Sequence, residues 1–368
     1  MRLPPGGVLR SGAMAEPVSR VMVLYTGGTI GMKKGPRGFE PIEGWFADKI
    51  AQQPQLHDPT QPRFTTYPSR SNRRIRYDIE PYSPPLDSAN LALADWARFA
   101  GDVGRFYDDY DAFVIVHGTD TMAYTASALS FMLAGLTKPV ILTGAQIPLE
   151  QLRNDALDNL LGALGIAGHY RIPEVGLYFH HKLLRGCRST KVDAAGLDAF
   201  DSPNLPPLAE VGIDVEVRWN LVRSPELGGL QVHTQLSPHV AALRLYPGIT
   251  RAILENFLRP PLEGLVLETF GSGNAPDRDD DLLGVLREAS ERGVVIVNVT
   301  QCLKGHVRAS YAAGRAVLDA GVVPGADMTP EAALAKLAFL LGQGLSPDEV
   351  RALAGRSLRG ELSEEIED

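Results

Sequence analysis

VIVHGTDTMAYTASAL, residues Val114–Leu129, carries the most telling transition in this chain. An apolar, β-branched run from Ala112 breaks off at His117-Gly118-Thr119-Asp120. A helix-forming stretch follows directly, so a buried strand passes into a helix through a polar loop. VLYTGGTIGM (Val23–Met32) and VILTGAQIP (Val140–Pro148) repeat the same transition. Strands are expected at Val21–Tyr25, Ala112–His117, Pro139–Leu142 and Glu174–Phe179, and helices at Asn90–Tyr107, Met122–Ala134 and Asn154–Ala167. Continuous apolar strands alternating with helices belong to parallel sheets covered on both faces. The class is therefore α/β, with a larger N-terminal doubly wound parallel-sheet domain. Gly264–Thr269, Asp280–Arg292, Val294–Val299 and Pro330–Leu341 form a second alternating series, read as a smaller C-terminal α/β domain.

A length of 368 residues is beyond what one core usually serves, which also favours two domains. Ser224, Pro225, Gly228 and Gly229 mark the connection. The expected organisation is a disordered lead-in over 1–19, a catalytic domain over 20–221, a linker over 222–236 and a C-terminal domain over 237–368. The proline- and glycine-containing lead-in lacks the apolar core of a signal peptide, and no apolar run is long enough to span a membrane. The net charge of -8 comes from scattered residues, without the basic stripe that nucleic acid or an anionic membrane would require. Cys187 and Cys302 are the only cysteines and have no metal-type spacing. A cytoplasmic protein is expected. The acidic end Glu361–Asp368 reads as a solvated tail.

Ligands of open parallel sheets bind at the carboxyl ends of the strands, so the three polar loops are expected to meet in one crevice. Each loop is bland when read alone. Thr26-Gly27-Gly28-Thr29 is a tight turn, and it lacks both the first glycine of a dinucleotide fingerprint and the Gly-Lys-Ser/Thr of a phosphate loop. Thr119-Asp120 suits a helix N-cap, and Asp87-Ser88 suits the cap of the helix at Asn90–Tyr107. His180-His181, placed on a strand, would point to opposite faces, so no metal and no organic cofactor are expected.

Together these segments resemble a known family. TGGTIGM and HGTDTMAYTASALSFML are similar to the two signature segments of the bacterial-type L-asparaginases, and the likeness runs from about Val21 onward. DSANLALADW (Asp87–Trp96), ILTGAQIP, RSTKVDAAGLDAFDSPN (Arg188–Asn204), LRLYPGI (Leu243–Ile249) and ETFGSGNAP (Glu268–Pro276) extend it, most closely toward the cytoplasmic type I enzymes.

The resemblance implies Thr29 as nucleophile, with Thr119, Asp120 and Lys191 as the second threonine and its supporting pair. It also implies Asp87 and Ser88 as substrate-binding residues. A threonine hydroxyl needs a base, and Lys191 is the natural one for Thr119. A lysine ammonium holds its proton at neutral pH, so this role requires burial or a network that favours the neutral amine. Asp120 opposes that requirement and is expected to orient the lysine and anchor a substrate α-ammonium. Attack by Thr29 on the amide carbon would release ammonia and leave an aspartyl ester, which water near Thr119 hydrolyses. The Gly28–Ile30 turn and the amides around Ala145 are the expected oxyanion donors.

Gly31–Gly44 reads as a lid or a passive loop. Tyr311 matches a type I tyrosine thought to approach the site. Glu268 stands where some type I enzymes carry an arginine of an allosteric asparagine site, with Thr190 and Cys302 near its other positions, so that allostery is not expected here. The family implies a homodimer or homotetramer, with Asn274 contributing across subunits. L-asparagine is the expected substrate, with no nucleic-acid or membrane partner. The alternatives are a glutamine-preferring enzyme, a tRNA-dependent amidase subunit with a further N-terminal domain, and a non-catalytic amino-acid sensor.

Overall fold

A computed structural model describes residues 17–35, 38–276, 280–307 and 312–364. The larger sheet contains β1 (Val18–Gly27), β2 (Arg74–Leu86), β3 (Ala112–Val116), β4 (Val140–Thr143), β5 (Val175–Phe179), β6 (Lys182–Arg185), β7 (Ala209–Val211) and β8 (Val215–Val217). Their order across the sheet is β8-β7-β6-β5-β4-β3-β1-β2. From β2 to β5 every pairing is parallel. β6, β7 and β8 close the far edge as antiparallel hairpins.

Strand periodicity divides the core. Met22, Leu24, Phe113, Ile115 and Leu142 face one layer, with α1 (Leu93–Phe106) and α2 (Met122–Met132). Val21, Val23, Tyr25, Val114 and Ile141 face the other, with α3 (Ala156–His169). The second sheet runs β9 (Val240–Arg244), β10 (Gly264–Thr269), β11 (Val295–Thr300) and β12 (Val323–Pro324), all parallel and in chain order. α4 (Arg251–Phe257) and α5 (Asp280–Glu291) cover one side, and α6 (Pro330–Gly342) and α7 (Pro347–Ala354) the other. α2 is buried all round except at Tyr124, because α6 packs on the side turned away from the large sheet. Phe131 stacks on Phe339 there, with ring centroids 6.0 Å apart. The loop that begins α2 is thus held by both layers.

Several expectations need correction. The lead-in ends sooner than residue 19, because β1 begins at Val18 and the Ser19 hydroxyl donates to the Gly168 carbonyl at 2.6 Å; residues 1–16 lie outside the described residues. His180 and His181 are a turn rather than strand residues. They join β5 to β6 with φ of 44° and 66°. The acidic end is not a solvated tail where it is described. Glu361 is fully buried against Lys336 at 2.6 Å. The Gly360 carbonyl accepts from Arg188 at 2.7 Å, and Ser363 N–H donates to Asp327 at 2.7 Å. A carboxylate reads as solvated in sequence because its burial depends on a lysine from another element. No helix among the described residues is long and apolar enough to cross a membrane.

Candidate active site

β1, β3 and β4 end side by side, and their loops meet through glycines. Gly28, at φ 86°, lies so close to the second loop that a Cβ there would stand 2.5 Å from the Gly118 nitrogen. A Cβ on Gly118 would stand 2.4 Å from the Ser88 hydroxyl oxygen. Only glycine permits these approaches. They place the residues that follow, Thr29 and Thr119, at one junction with Ser88. Thr26 sews the first loop to the second strand by donating its hydroxyl to the Val116 carbonyl at 2.9 Å. Thr29 is half-buried and opens the 3-10 turn Thr29–Gly31.

Beside it lies a connected polar relay. Lys191 Nζ donates to Thr119 Oγ1 at 2.9 Å and to Asp120 Oδ1 at 2.8 Å. The Thr119 hydroxyl donates to Gln146 Oε1 at 3.1 Å, and Gln146 Nε2 donates to the Gly196 carbonyl at 3.2 Å. Thr119 is 6% exposed and the Lys191 side chain 20%, whereas the Asp120 side chain is 65% exposed. The lysine–threonine contact is therefore shielded while its counter-charge is hydrated, which weakens the pull of Asp120 on the ammonium. Lys191 is held in place by the pairing of Thr190–Lys191 with Phe200–Asp201, and by Thr190 donating to the buried Glu331 carboxylate of α6 at 2.7 Å. Burial raises the Glu331 carboxyl above the usual range.

Two supporting residues were not singled out in the sequence. Gln146 closes the relay, and Asp155 shapes the third loop by accepting from the backbone N–H groups of Gln146 and Ile147 at 3.0 and 2.9 Å. Those two amides are thereby engaged, which removes them from the expected oxyanion donors around Ala145. A polar glutamine three residues past a strand end was the available signal for Gln146. Nothing in sequence marks Asp155, whose carboxylate caps a loop rather than α3.

The Asp87-Ser88 pair divides. Asp87 is exposed, and its carboxylate accepts from Ala89 N–H at 3.1 Å and from the Asn90 amide at 2.8 Å. It caps the short turn Ser88–Asn90 rather than the helix, which begins only at Leu93. Ser88 is buried at the junction, and its carbonyl accepts from the Thr121 hydroxyl at 2.8 Å. The segment expected as a lid contains a paired hairpin, Met32–Gly35 against Gly38–Pro41. Lys34 N–H in that hairpin donates to Glu150 at 2.6 Å. Tyr311 lies outside the described residues. Glu268 faces Arg244, whose guanidinium is 3.5 Å away. Asn274 closes a turn with Phe270.

His117 sits under the second loop, 1% exposed. Burial pushes its imidazole down to about 4. Unfolding returns the ring to an ordinary value near 6.5, so between those two pH values the unfolded chain takes up a proton that the folded chain refuses. The contribution is complete above pH 6.5 and disappears as pH falls toward 4, amounting to about 3 kcal/mol. In urea unfolding, the unmodified protein is expected to lose that much more stability than His117→Asn between about pH 7 and pH 4. Parallel stability–pH curves would show that the buried ring makes no such contribution.

Comparison with known proteins identifies the family. Residues 20–223 match the family described as Asparaginase, N-terminal, and residues 239–353 match the Glutaminase/Asparaginase C-terminal domain. The human 60 kDa lysophospholipase is 49% identical over 357 residues, covering 94% of this chain. The chain spans 62% of that relative's length. L-asparaginase 1 of Escherichia coli strain K12 is 48% identical over 345 residues, covering 93% of this chain and 98% of that protein. The crystal structure of L-asparaginase I from Vibrio cholerae superposes with a TM-score of 0.84 at 47% identity, covering 94% of this chain and 99% of that one. With both family regions present in order, and with the two threonine-bearing loops and the lysine strand meeting at the glycine junction, this chain belongs to the asparaginase family.

Proposed function

We propose that this protein hydrolyses L-asparagine to L-aspartate and ammonia, with Thr29 as nucleophile. The observation that carries this reading is the shielded contact between Lys191 and Thr119, set beside the glycine junction that presents Thr29. Attack of the Thr29 hydroxyl on the side-chain amide carbon forms an ester bond, and the amide nitrogen leaves as ammonia once protonated. Water then adds to the ester with Thr119 and Lys191 managing its proton, and breakdown restores the threonine and frees aspartate. Asp120 is exposed enough to receive the α-ammonium of a free amino acid while it orients Lys191. Ser88 and the Gly118–Thr119 turn serve the α-carboxylate, with Asp87 shaping the turn that presents Ser88. The Gly28–Ile30 turn supplies the oxyanion donors. Residence in the cytoplasm fits the two free cysteines, Cys187 and Cys302. We also assign a homodimer or homotetramer, in keeping with the family resemblance.

The test is direct. Purified protein incubated with L-asparagine is expected to release ammonia, measured by a coupled assay, with a larger kcat/KM than for L-glutamine. The two amides differ by one methylene, worth roughly 10- to 200-fold in a fitted pocket. Light scattering on the same preparation is expected to report a dimer or tetramer. Binding of asparagine without ammonia release would make the protein a sensor. Faster release of fatty acid from a lysophospholipid would reassign the substrate.

A further inference from the structure

A buried chain of hydrogen bonds ends on the loop that carries Thr119 and Asp120. Trp96 Nε1–H donates to Thr125 Oγ1 at 3.0 Å, Thr125 Oγ1 stands 3.0 Å from His117 Nε2, and His117 Nδ1 stands 2.6 Å from the Gly118 carbonyl oxygen. A carbonyl only accepts, so Nδ1 carries the ring proton. The neutral ring then leaves Nε2 as an acceptor, and the Thr125 hydroxyl, already accepting from the indole, has its proton to give. Each link has one direction. Thr125 is 0% exposed and Trp96 8%, and Phe99 meets the imidazole edge-on at 5.9 Å, so the ring is packed as well as bonded. With its proton affinity lowered to about 4 by burial, the imidazole is neither acid nor base at neutral pH.

What the chain holds is a peptide plane. In a trans peptide the N–H points opposite to the C=O, so fixing the Gly118 carbonyl on the ring turns Thr119 N–H away from it and fixes the start of residue 119. From there the Thr119 hydroxyl must reach both Lys191 Nζ and Gln146 Oε1. The backbone of His117 is itself clasped by the third loop, since a Cβ on Gly144 would stand 2.3 Å from its carbonyl oxygen. We propose that His117 is a positioning residue: its imidazole, locked as the Nδ1–H tautomer by Thr125 and Trp96, sets the Gly118–Thr119 peptide and thereby aligns the Thr119 hydroxyl with Lys191. This rests on the reading of the site as an asparagine hydrolase.

Two amide side chains separate the roles of the two ring nitrogens. His117→Asn places an N–H donor near the Nδ1 position and retains the bond to Gly118, whereas His117→Gln reaches toward Nε2, serves Thr125 and loses that bond. His117→Gln is expected to lower kcat for asparagine roughly 10- to 100-fold, the scale set by small misalignments of a reacting group, with a smaller rise in KM because the same peptide serves the α-carboxylate. His117→Asn is expected to restore most of that loss. Thr125→Val and Thr125→Ser probe the lock without touching the ring, Val lowering kcat and Ser retaining it, and they carry the test if His117→Gln does not fold. Nitrogen NMR of the unmodified protein is expected to show a single Nδ1–H tautomer at neutral pH. Unchanged kcat in His117→Gln or Thr125→Val would overturn the proposal, as would equal losses in the Asn and Gln variants or an Nε2–H tautomer. If the unmodified protein releases no ammonia from asparagine, the functional reading fails instead, and the tautomer measurement still judges the lock.

Discussion

Lys191→Met is expected to lower kcat for asparagine by about 1,000-fold while KM changes far less. Methionine is close to lysine in length and keeps the packing of the stem, so the loss isolates the amine. That amine is the group bonded to Thr119 Oγ1 at 2.9 Å, and its removal leaves the threonine with Gln146 as its bonded partner. An amide oxygen is too weak a base to accept the hydroxyl proton outright. Lys191→Arg is expected to fare little better, because a guanidinium stays protonated and cannot serve as a base. A structural explanation predicts the opposite pattern, since arginine would keep the ion pair with Asp120 at the exposed edge. Steady-state kinetics of the two variants, with folding checked by circular dichroism, decide between these. Activity within tenfold of the parent in Lys191→Met would remove the lysine from the proton path.

The alternation of apolar strands with helices made the α/β class and the sites of β1, β3, β4, β5, β10 and β11 legible, because buried parallel strands are written as short β-branched runs. β2 was not legible. Its sequence RIRYDIEPYSPPL carries charges and three prolines, and its burial is patchy, as an edge strand with one partner allows. The antiparallel edge of β6, β7 and β8 was missed for a related reason, since strands of three or four residues leave too little periodicity to read.

The site was legible where residues share a loop and obscure where they do not. Thr119 and Lys191 are 72 positions apart, so their contact exists only through topology; the family resemblance, rather than spacing, paired them. Gln146 sits inside a quoted motif but takes its role from the distant Thr119 hydroxyl, whose hydrogen bond it accepts, and Asp155, outside any motif, takes its role from the backbone amides of Gln146 and Ile147. Asp87 shows the converse. It is a cap, though of the turn Ser88–Asn90 and not of the helix, while its neighbour Ser88 is the one packed against Gly118.

Thr29→Ala and Thr119→Ala are expected to fail at different steps. Without the Thr29 hydroxyl no ester forms, and kcat/KM for asparagine is expected to fall about 10,000-fold or more, with no covalent adduct after acid quenching. Thr119→Ala retains the attacking hydroxyl and loses the group that manages the hydrolytic water. Ammonia should appear as a burst of about one per subunit followed by slow turnover, the signature of a stalled second step. Mass spectrometry of the quenched variant should then find one aspartyl unit on the peptide containing Thr29. The pair is worth measuring because the polar relay points elsewhere: Lys191 and Gln146 both bond Thr119, and among the described residues no side chain hydrogen-bonds the Thr29 hydroxyl. If a relay simply marked the nucleophile, Thr119 would attack, and Thr29→Ala would accumulate the adduct on Thr119. The two-step chemistry gives the relay a different task. An ester is stable until water is deprotonated against it, so the persistent base belongs beside the second threonine, while the first needs only a proton acceptor at the moment of attack. An adduct on Thr29 in Thr119→Ala, with none in Thr29→Ala, is the outcome that this division of labour requires.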